Sequence, residues 1–322
     1  MIIKDRQYPI KAKKLEALRR RLKINHDKTS LIEAEYARVL AGYRGEISLN
    51  YFLSFLPHHQ YFIFHDLRLP SLQNEYFFQM DILLLSKNFF LIIEVKNLAG
   101  SVTYDPSNQQ LIQYYKEKET VYKDPFLQVQ RQKQQLYKWI EKANIPSSIP
   151  ISTLVILSNP QTLIKENSHT SQKIIRPDRL LSKISEYEKM YRHESLTEKE
   201  IKKLNRQFLK EHTEDHYNVM QKFSLTSSDL IPGVHCPKCS YLPMLRKRYT
   251  WFCSRCQYED NEVYIPSLQD FHYLFGNSIN NSQLRMFLNI HSRHSAKRIL
   301  KSLNLTCVGD KKAATYTLPF NN

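Results

Sequence analysis

Residues 76–100, YFFQMDILLLSKNFFLIIEVKNLAG, restrict the fold more than any other stretch. Two apolar strands read out of it, Tyr76–Leu85 and Phe89–Val95, joined by the short polar turn Ser86-Lys87-Asn88. Side chains alternate faces along a strand, which puts Gln79 and Asp81 on one face of the first strand and Glu94 and Lys96 on one face of the second. Carboxylates are rarely buried without a partner, so acids in strands this apolar need a common physical cause. A divalent metal is the economical one. Asp81 and Glu94 offer hard oxygens suited to Mg²⁺ or Mn²⁺, and the nearby ammonium of Lys96 can orient a nucleophile or stabilise a pentavalent phosphorus. The plain alternative is a surface hairpin with a Glu94–Lys96 ion pair at its frayed end, and spacing alone does not choose between the two.

Further residues shift the balance. Gly45-Glu46 on an opening helix, Gln79-x-Asp81, Glu94-Val95-Lys96-Asn97 followed by Gly100, and Asp124-Pro125-x-x-Gln128 starting the next helix form an ordered set within residues 42–139. In that set, about a third of its length, the chain resembles the nuclease-related domain (NERD), a branch of the PD-(D/E)xK nuclease superfamily. The resemblance implies an α/β fold, a mixed sheet flanked by helices, with a metal-dependent nuclease core acting on nucleic acid. On the matching positions it implies that Asp81 and Glu94 hold Mg²⁺ or Mn²⁺, that Glu46 assists, that Lys96 orients or stabilises, and that Gln79 and Gln128 support them. Water would attack phosphorus and the 3′ oxygen would leave. For Glu46 a structural reading stands beside this one. It precedes Leu49 and Leu53 by three and seven residues on a helix expected from about Leu31 to Leu56, so it faces a core where an Arg or Lys partner would serve equally.

With 322 residues the chain can hold two or three domains, each able to bury a core. Lys and Arg number 47 against 31 Asp and Glu, a net charge of +16 that points toward a polyanion. DNA is the expected nucleic acid, although the charge does not separate it from RNA. The opening MIIKDRQYPI lacks a continuous apolar segment, and the longest apolar runs, Phe89–Ile93 and Leu154–Leu157, fall well below the roughly 20 residues that span a bilayer. No membrane partner and a cytoplasmic location are therefore expected. Five cysteines in such a compartment argue for metal or free thiol over a disulfide framework.

Along the chain, residues 1–38 read as a basic N-terminal helical extension, with Leu15, Leu18 and Leu22 at helical spacing and a basic face that is either solvated or laid along phosphates. Residues 39–213 read as the nuclease-like domain. Its first strand is expected at 61–69, three short strands at 101–105, 111–115 and 120–122, and a helix to about Lys142 capped by Asp124 with Pro125 in its first turn. Gln128, Gln132 and Gln135 lie along one side of that helix beside Arg131. Ile151–Ser158 is a buried strand that follows a helix and so gains a parallel neighbour. Pro177 opens a helix to about Tyr191, and Thr197-x-x-Glu200 is a capping box for a last one, with Leu204 and Phe208 inward. Residues 214–230 read as a polar linker.

Cys236-Pro-Lys-Cys239 and Cys253-Ser-Arg-Cys256, thirteen residues apart, present four thiolates in the closed arrangement of structural Zn²⁺. With a hairpin over Met244–Phe252 they make residues 231–262 a small four-cysteine zinc ribbon. Arg246, Lys247 and Arg248 with Tyr249 and Trp251 suit phosphate contact and base stacking, while Trp251 serves equally as the ribbon's small core. Residues 263–322 resemble a winged helix. Helices over Ser282–Leu288 and Ser292–Leu303, with Ser282 and Ser292 as N-caps, form a helix-turn-helix, and strands at 305–308 and 315–318 flank a turn carrying Lys311 and Lys312. Arg293, Lys297, Arg298 and Lys301 on the second helix would then meet DNA, although a pair this short can also be a docking lobe. His291 and His294 read as surface residues and Cys307 as a buried thiol. The whole reads as a Mg²⁺-dependent nuclease delivered by a zinc ribbon and a winged helix. The alternative is a DNA-binding or regulatory protein that keeps the nuclease fold as a scaffold.

Overall fold

The hairpin over residues 77–96 forms the middle of a six-stranded sheet in the computed structural model, which describes residues 1–72, 76–143, 149–165, 174–248, 250–310 and 313–320. From the N terminus the elements are β1 (Ile2–Lys4), α1 (Ile10–Arg21), α2 (Thr29–Ile47), α3 (Asn50–Leu53), β2 (Phe62–Pro70), β3 (Phe77–Leu85) and β4 (Phe90–Lys96). They continue with β5 (Ser101–Asp105), β6 (Gln110–Tyr115), β7 (Lys118–Lys123), α4 (Pro125–Lys142), β8 (Ile151–Leu157), β9 (Leu163–Lys165) and β10 (Ile174–Ile175). Next come α5 (Leu180–Met190), α6 (Glu198–Glu211), α7 (Val219–Lys222), β11 (Leu245–Arg246), β12 (Trp251–Phe252) and β13 (Glu259–Asp260). The last are α8 (Tyr264–Phe275), β14 (Ser278–Asn280), α9 (Asn281–Leu288), α10 (Arg293–Ser302), β15 (Cys307–Val308) and β16 (Thr315–Thr317).

Two compact units divide these elements: Met1–Gln7 with Leu40–Asp215, and Tyr8–Val39 with His216–Asn322. The first carries the six-stranded sheet in the order β1-β2-β3-β4-β8-β10. β2, β3 and β4 are antiparallel, whereas β8 runs parallel to β4 from Phe90–Ile151 to Lys96–Leu157. Apolar side chains leave the sheet on both faces. Phe90 and Ile92 pack with Leu136, Trp139 and Phe208 of α4 and α6, while Leu91, Ile93 and Val95 pack with Leu49, Leu53, Leu180 and Ile184 of the opposite helical layer. By this alternation Glu94 belongs to the face covered by α4. The helix that covers it starts sharply, because the Asp124 carboxylate accepts from the N–H groups of Phe126 (2.7 Å) and Leu127 and Pro125 supplies the first turn. A second sheet, β7-β6-β5-β9, completes this unit.

The second unit has one core, built by Leu15, Leu18 and Leu22, the α7 segment, Trp251, Cys236 and Cys253, and the apolar faces of α8, α9 and α10. β11, β12 and β13 form one small antiparallel sheet, and β14-β16-β15 form another around the α9–α10 pair.

Several expectations give way. The 1–38 extension is not one piece: Ile2 and Lys4 pair with β2, while α1 belongs to the second unit, where Arg21 is wholly buried on Asp270. A three-residue strand is too short to announce itself by periodicity. The 214–230 stretch is not a solvated linker either, since Val219, Met220, Phe223, Leu225 and Leu230 are buried in the second core. The expected Leu31–Leu56 helix breaks between Ile47 and Asn50. Asn280, not Ser282, caps α9 through a capping box with Gln283. Cys307 is exposed because it lies on a two-residue edge strand. Tyr249, Lys311 and Lys312 lie outside the described residues. Among the described residues no helix is long and apolar enough to cross a membrane.

Candidate functional site

Strict alternation in β2 and β3 fails at one place, and the site forms there. Phe78 and Met80 share a core with Leu83 and Leu85, whereas Ile82 and Leu84 lie in the other, so the period of two slips at Asp81. The β2–β3 ladder pairs His65 with Ile82 and Leu67 with Met80, and the intervening Asp66 has a φ of +50°. A non-glycine residue in that left-handed region inside a strand is uncommon and marks an irregularity held in place by its surroundings. The β3–β4 ladder ends at Ile82–Ile93, and the next step is made by a side chain: Asp81 Oδ2 accepts from the Val95 N–H at 2.8 Å. The ladder between the two strands ends where their acids stand, so the expectation of Gln79 and Asp81 on one plain strand face is replaced by a local break.

Glu94 is 2% exposed. Its Oε1 accepts from Lys96 Nζ at 2.6 Å, and its Oε2 accepts from Gln132 Nε2 at 3.2 Å. Lys96 also reaches Gln128 Oε1 at 3.2 Å, and Gln132 Nε2 also meets the Gln79 carbonyl at 2.8 Å. Gln132 Oε1 is buried with no hydrogen-bond partner among the described residues. Burial, then the charge of Glu94, pushes the Asp81 carboxyl well above the usual range, as two like charges in a desolvated site must.

Glu46 reaches this region from α2. A close approach allows it: a methyl group at Gly45 would fall 2.5 Å from Ser158 Oγ and 2.6 Å from Asn97 Cβ, and Asn97 Nδ2 donates to the Ala41 carbonyl at 2.7 Å. Glu46 forms a close ion pair with Arg6, whose guanidinium also contacts Asp66 Oδ2 at 3.3 Å and His65 Nδ1 at 2.8 Å. Burial, with Asp81 and Asp66 adding to it, raises Glu46 to about 9 despite Arg6. Asp66 is raised as well, chiefly by burial. The Arg partner left open by the sequence is therefore present, and the same carboxylate sits among acids.

Of the six residues read from the sequence, Glu94, Lys96 and Gln128 are directly linked, Gln79 joins through its carbonyl, and Asp81 and Glu46 interact with the others by charge. Arg6, Asp66 and Gln132 were missed. Asp66 carries the same signal as Asp81, an acid inside the apolar run YFIFHDLRL. Gln132 was visible only as one member of a glutamine row. Arg6 has no local signal, since its place depends on a contact forty residues distant in sequence.

Residues 41–158 match the family model of the nuclease-related domain. The match covers just over a third of the chain and runs from the helix before Gly45-Glu46 through the end of β8. This segment is a nuclease-related domain, and β2, β3, β4, α4 and β8 are its frame. Comparison with curated proteins and with solved structures returns no match.

In the second unit the ligand atoms of Cys236, Cys239, Cys253 and Cys256 lie within 4.8 Å of one another, the only such group of His, Cys, Asp or Glu among the described residues. Two of the sulfur pairs stand 3.6 and 3.5 Å apart, far beyond a disulfide and close to the ~3.8 Å edge of a tetrahedron with metal–sulfur bonds of about 2.3 Å. The four thiols can hold a metal ion. Near them Arg246 stacks on the buried Trp251 at 4.9 Å, and Lys247 pairs with Glu259 at 2.7 Å. Arg248, Arg293, Lys297, Arg298 and Lys301 are exposed, as are His291 and His294.

Proposed function

We propose that the protein is a metal-dependent nuclease that hydrolyses phosphodiester bonds in DNA. The observation that carries this reading is the buried Glu94 carboxylate, bound by Lys96 and Gln132 and opposed by the charge of Asp81 on the adjoining strand. Desolvated acids that repel one another and an orphaned amide oxygen on Gln132 fit a cation. Asp81 and Glu94 would hold Mg²⁺ or Mn²⁺, with Glu46 assisting. When bound, such an ion lowers the pKa of a coordinated water and neutralises charge on the scissile phosphate.

The chain's own groups do the rest. Lys96, half-buried and tethered to Glu94 and Gln128, presents its ammonium where charge develops on phosphorus. Gln128 and Gln132 hold Lys96 and Glu94 in their orientations without adding charge, and Gln79 contributes its backbone carbonyl to the same network. Arg6 holds the Glu46 carboxyl group in place, and its charge partly offsets the burial and the neighbouring acids that disfavour ionisation there.

We further read the cysteine cluster as a structural Zn²⁺ ribbon and α8 to β16 as a winged helix. The order helix, strand, two helices and two antiparallel strands supports this, and α10 would present Arg293, Lys297, Arg298 and Lys301 to the DNA, with Arg248 contributing from the ribbon hairpin. Arg246 and Lys247 contribute less, being committed to Trp251 and Glu259, and Lys311 and Lys312 are assigned to backbone contact by sequence alone. Four thiols kept for a metal suit a reducing cytoplasm.

The test is cleavage of labelled linear, nicked, circular and single-stranded DNA, with an RNA control, in Mg²⁺ or Mn²⁺. The wild type is compared with Glu94→Ala and Lys96→Ala. Cleavage lost in both variants, with folding and zinc content intact, is the expected result. Equal DNA binding by all three with no cleavage by any would replace this reading with the DNA-binding scaffold.

A further inference from the structure

Beside the carboxylates a groove of about 390 Å³ lies between β3 and α4, lined by Phe77, Phe78, Gln79, Gln128, Arg131, Gln132, Gln134, Gln135 and Lys138. Gln135 and Lys138 also line a second hollow of about 240 Å³ with Ser71 and Leu72, so the depression continues beyond the end of the first. Among its described residues are five glutamines and two cations but no carboxylate, although the floor of its inner end, Gln128 and Gln132, binds Lys96 and Glu94. Gln128, Arg131, Gln135 and Lys138 recur at helical spacing and form one stripe along α4. At 1.5 Å per residue that stripe runs ~15 Å, enough for about four stacked nucleotides.

The chemistry of the lining chooses the occupant. A duplex keeps its Watson–Crick edges paired and offers such a lining chiefly its phosphates, which call for cations throughout. Primary amides instead match the exposed donor and acceptor edges of unpaired bases, and they do so for every base because each can both donate and accept. Arg131 and Lys138 are exposed cations two helical turns apart, suited to phosphates along one strand. Phe77 stands 39% exposed at the edge with the Arg68 guanidinium 4.0 Å from its ring, an aromatic and cationic pair of the kind on which bases stack.

We propose that this groove binds single-stranded nucleic acid and leads one strand to the carboxylates, a substrate assignment that rests on the nuclease reading only for what happens at its inner end. The test uses the full chain in buffer without added divalent cation, where binding is read without cleavage. Fluorescent twelve-nucleotide dT and a duplex hairpin of equal length are titrated by anisotropy against wild type, Arg131→Ala/Lys138→Ala and Gln135→Ala, across a salt series. These positions are on the surface or half-buried, and unchanged melting temperatures verify folding.

The double variant is expected to bind the single strand about tenfold more weakly, with the log–log salt slope reduced by ~1.4 for two lost phosphate contacts. Gln135→Ala should weaken it by about threefold without changing the slope. Duplex affinity should stay the same in all three. Unchanged single-strand binding, or equal losses for single strand and duplex, overturns the proposal. If single-strand affinity falls as expected but the wild type cuts nothing when Mg²⁺ is added, the groove stands and the nuclease reading falls.

Discussion

Gln132 shows what a single buried amide does at this site. It is 4% exposed, spends both described hydrogen bonds of its Nε2 on Glu94 and the Gln79 carbonyl, and leaves its Oε1 without a partner among the described residues. Partners that orient a metal-binding carboxylate typically matter 10- to 100-fold. With Glu94 holding Mg²⁺ as proposed, Gln132→Leu should raise the Mg²⁺ concentration needed for half-maximal cleavage by ~10- to 100-fold while leaving the fold intact, as read by a metal titration of activity beside circular dichroism. His65 gives a second residue-scale test. Burial, then the neighbouring Arg6, lowers its pKa from 6.5 to about 4, and Arg6 donates to its Nδ1. The unfolded chain takes up this proton first, so the contribution is fully present above the ordinary value of 6.5 and is lost as pH falls from there toward 4. An NMR titration should find the His65 ring neutral at pH 6, with its midpoint near 4; a midpoint near 6.5 would contradict the packing around Arg6.

At the scale of elements, the central hairpin was legible because two apolar runs separated by a polar turn leave few alternatives. Strands were expected at 76–85 and 89–95 and stand at 77–85 and 90–96. The helix after Asp124 and the one opened by Thr197 were equally legible, since caps are local chemistry. The slip at Asp81 was not, because it depends on Asp66 of another strand and on a side chain replacing a ladder hydrogen bond. The seating of α2 is a contact of the same nonlocal kind. Gly45→Ala would push a methyl into Asn97 and Ser158, and overpacking of that kind costs about 1–3 kcal/mol. Chemical denaturation should show that loss, together with weaker metal binding as Glu46 moves; an unchanged midpoint would mean that Asn97 yields freely.

At the scale of the whole molecule, the chain enters and leaves its two units more often than its sequence suggests. Tyr8–Val39 contributes to the second unit although it precedes the nuclease-related domain, and Leu15, Leu18 and Leu22 are buried there against residues beyond 216. A chain ending at Asp215 would strand these leucines in water. It should aggregate or bind a hydrophobic dye, whereas the full chain should do neither, and gel filtration with dye fluorescence decides. The proposed zinc belongs to the same scale, because Cys236 and Cys253 are part of the second core. Elemental analysis should find one zinc per chain, absent in Cys253→Ser, and chelation should lower the thermal stability of the second unit. Full stability with no bound metal would remove the ribbon reading.

The sequence by itself determined the elements with strong local signals. These are the apolar hairpin with its acids, the capped helices, the paired CxxC knuckles and the basic face of α10. Each is legible because its cause lies within a few residues, in alternation, capping or ligand spacing. Only the tertiary structure decided that Arg6 meets Glu46, that Gln132 rather than its neighbours in the glutamine row holds Glu94, and that Asp66 belongs with Asp81. It also decided that the first basic helix is half core, with Arg21 buried on Asp270. Those facts join residues tens to hundreds of positions apart, and the burial that selects among equivalent side chains exists only once the sheet and its covering helices have packed.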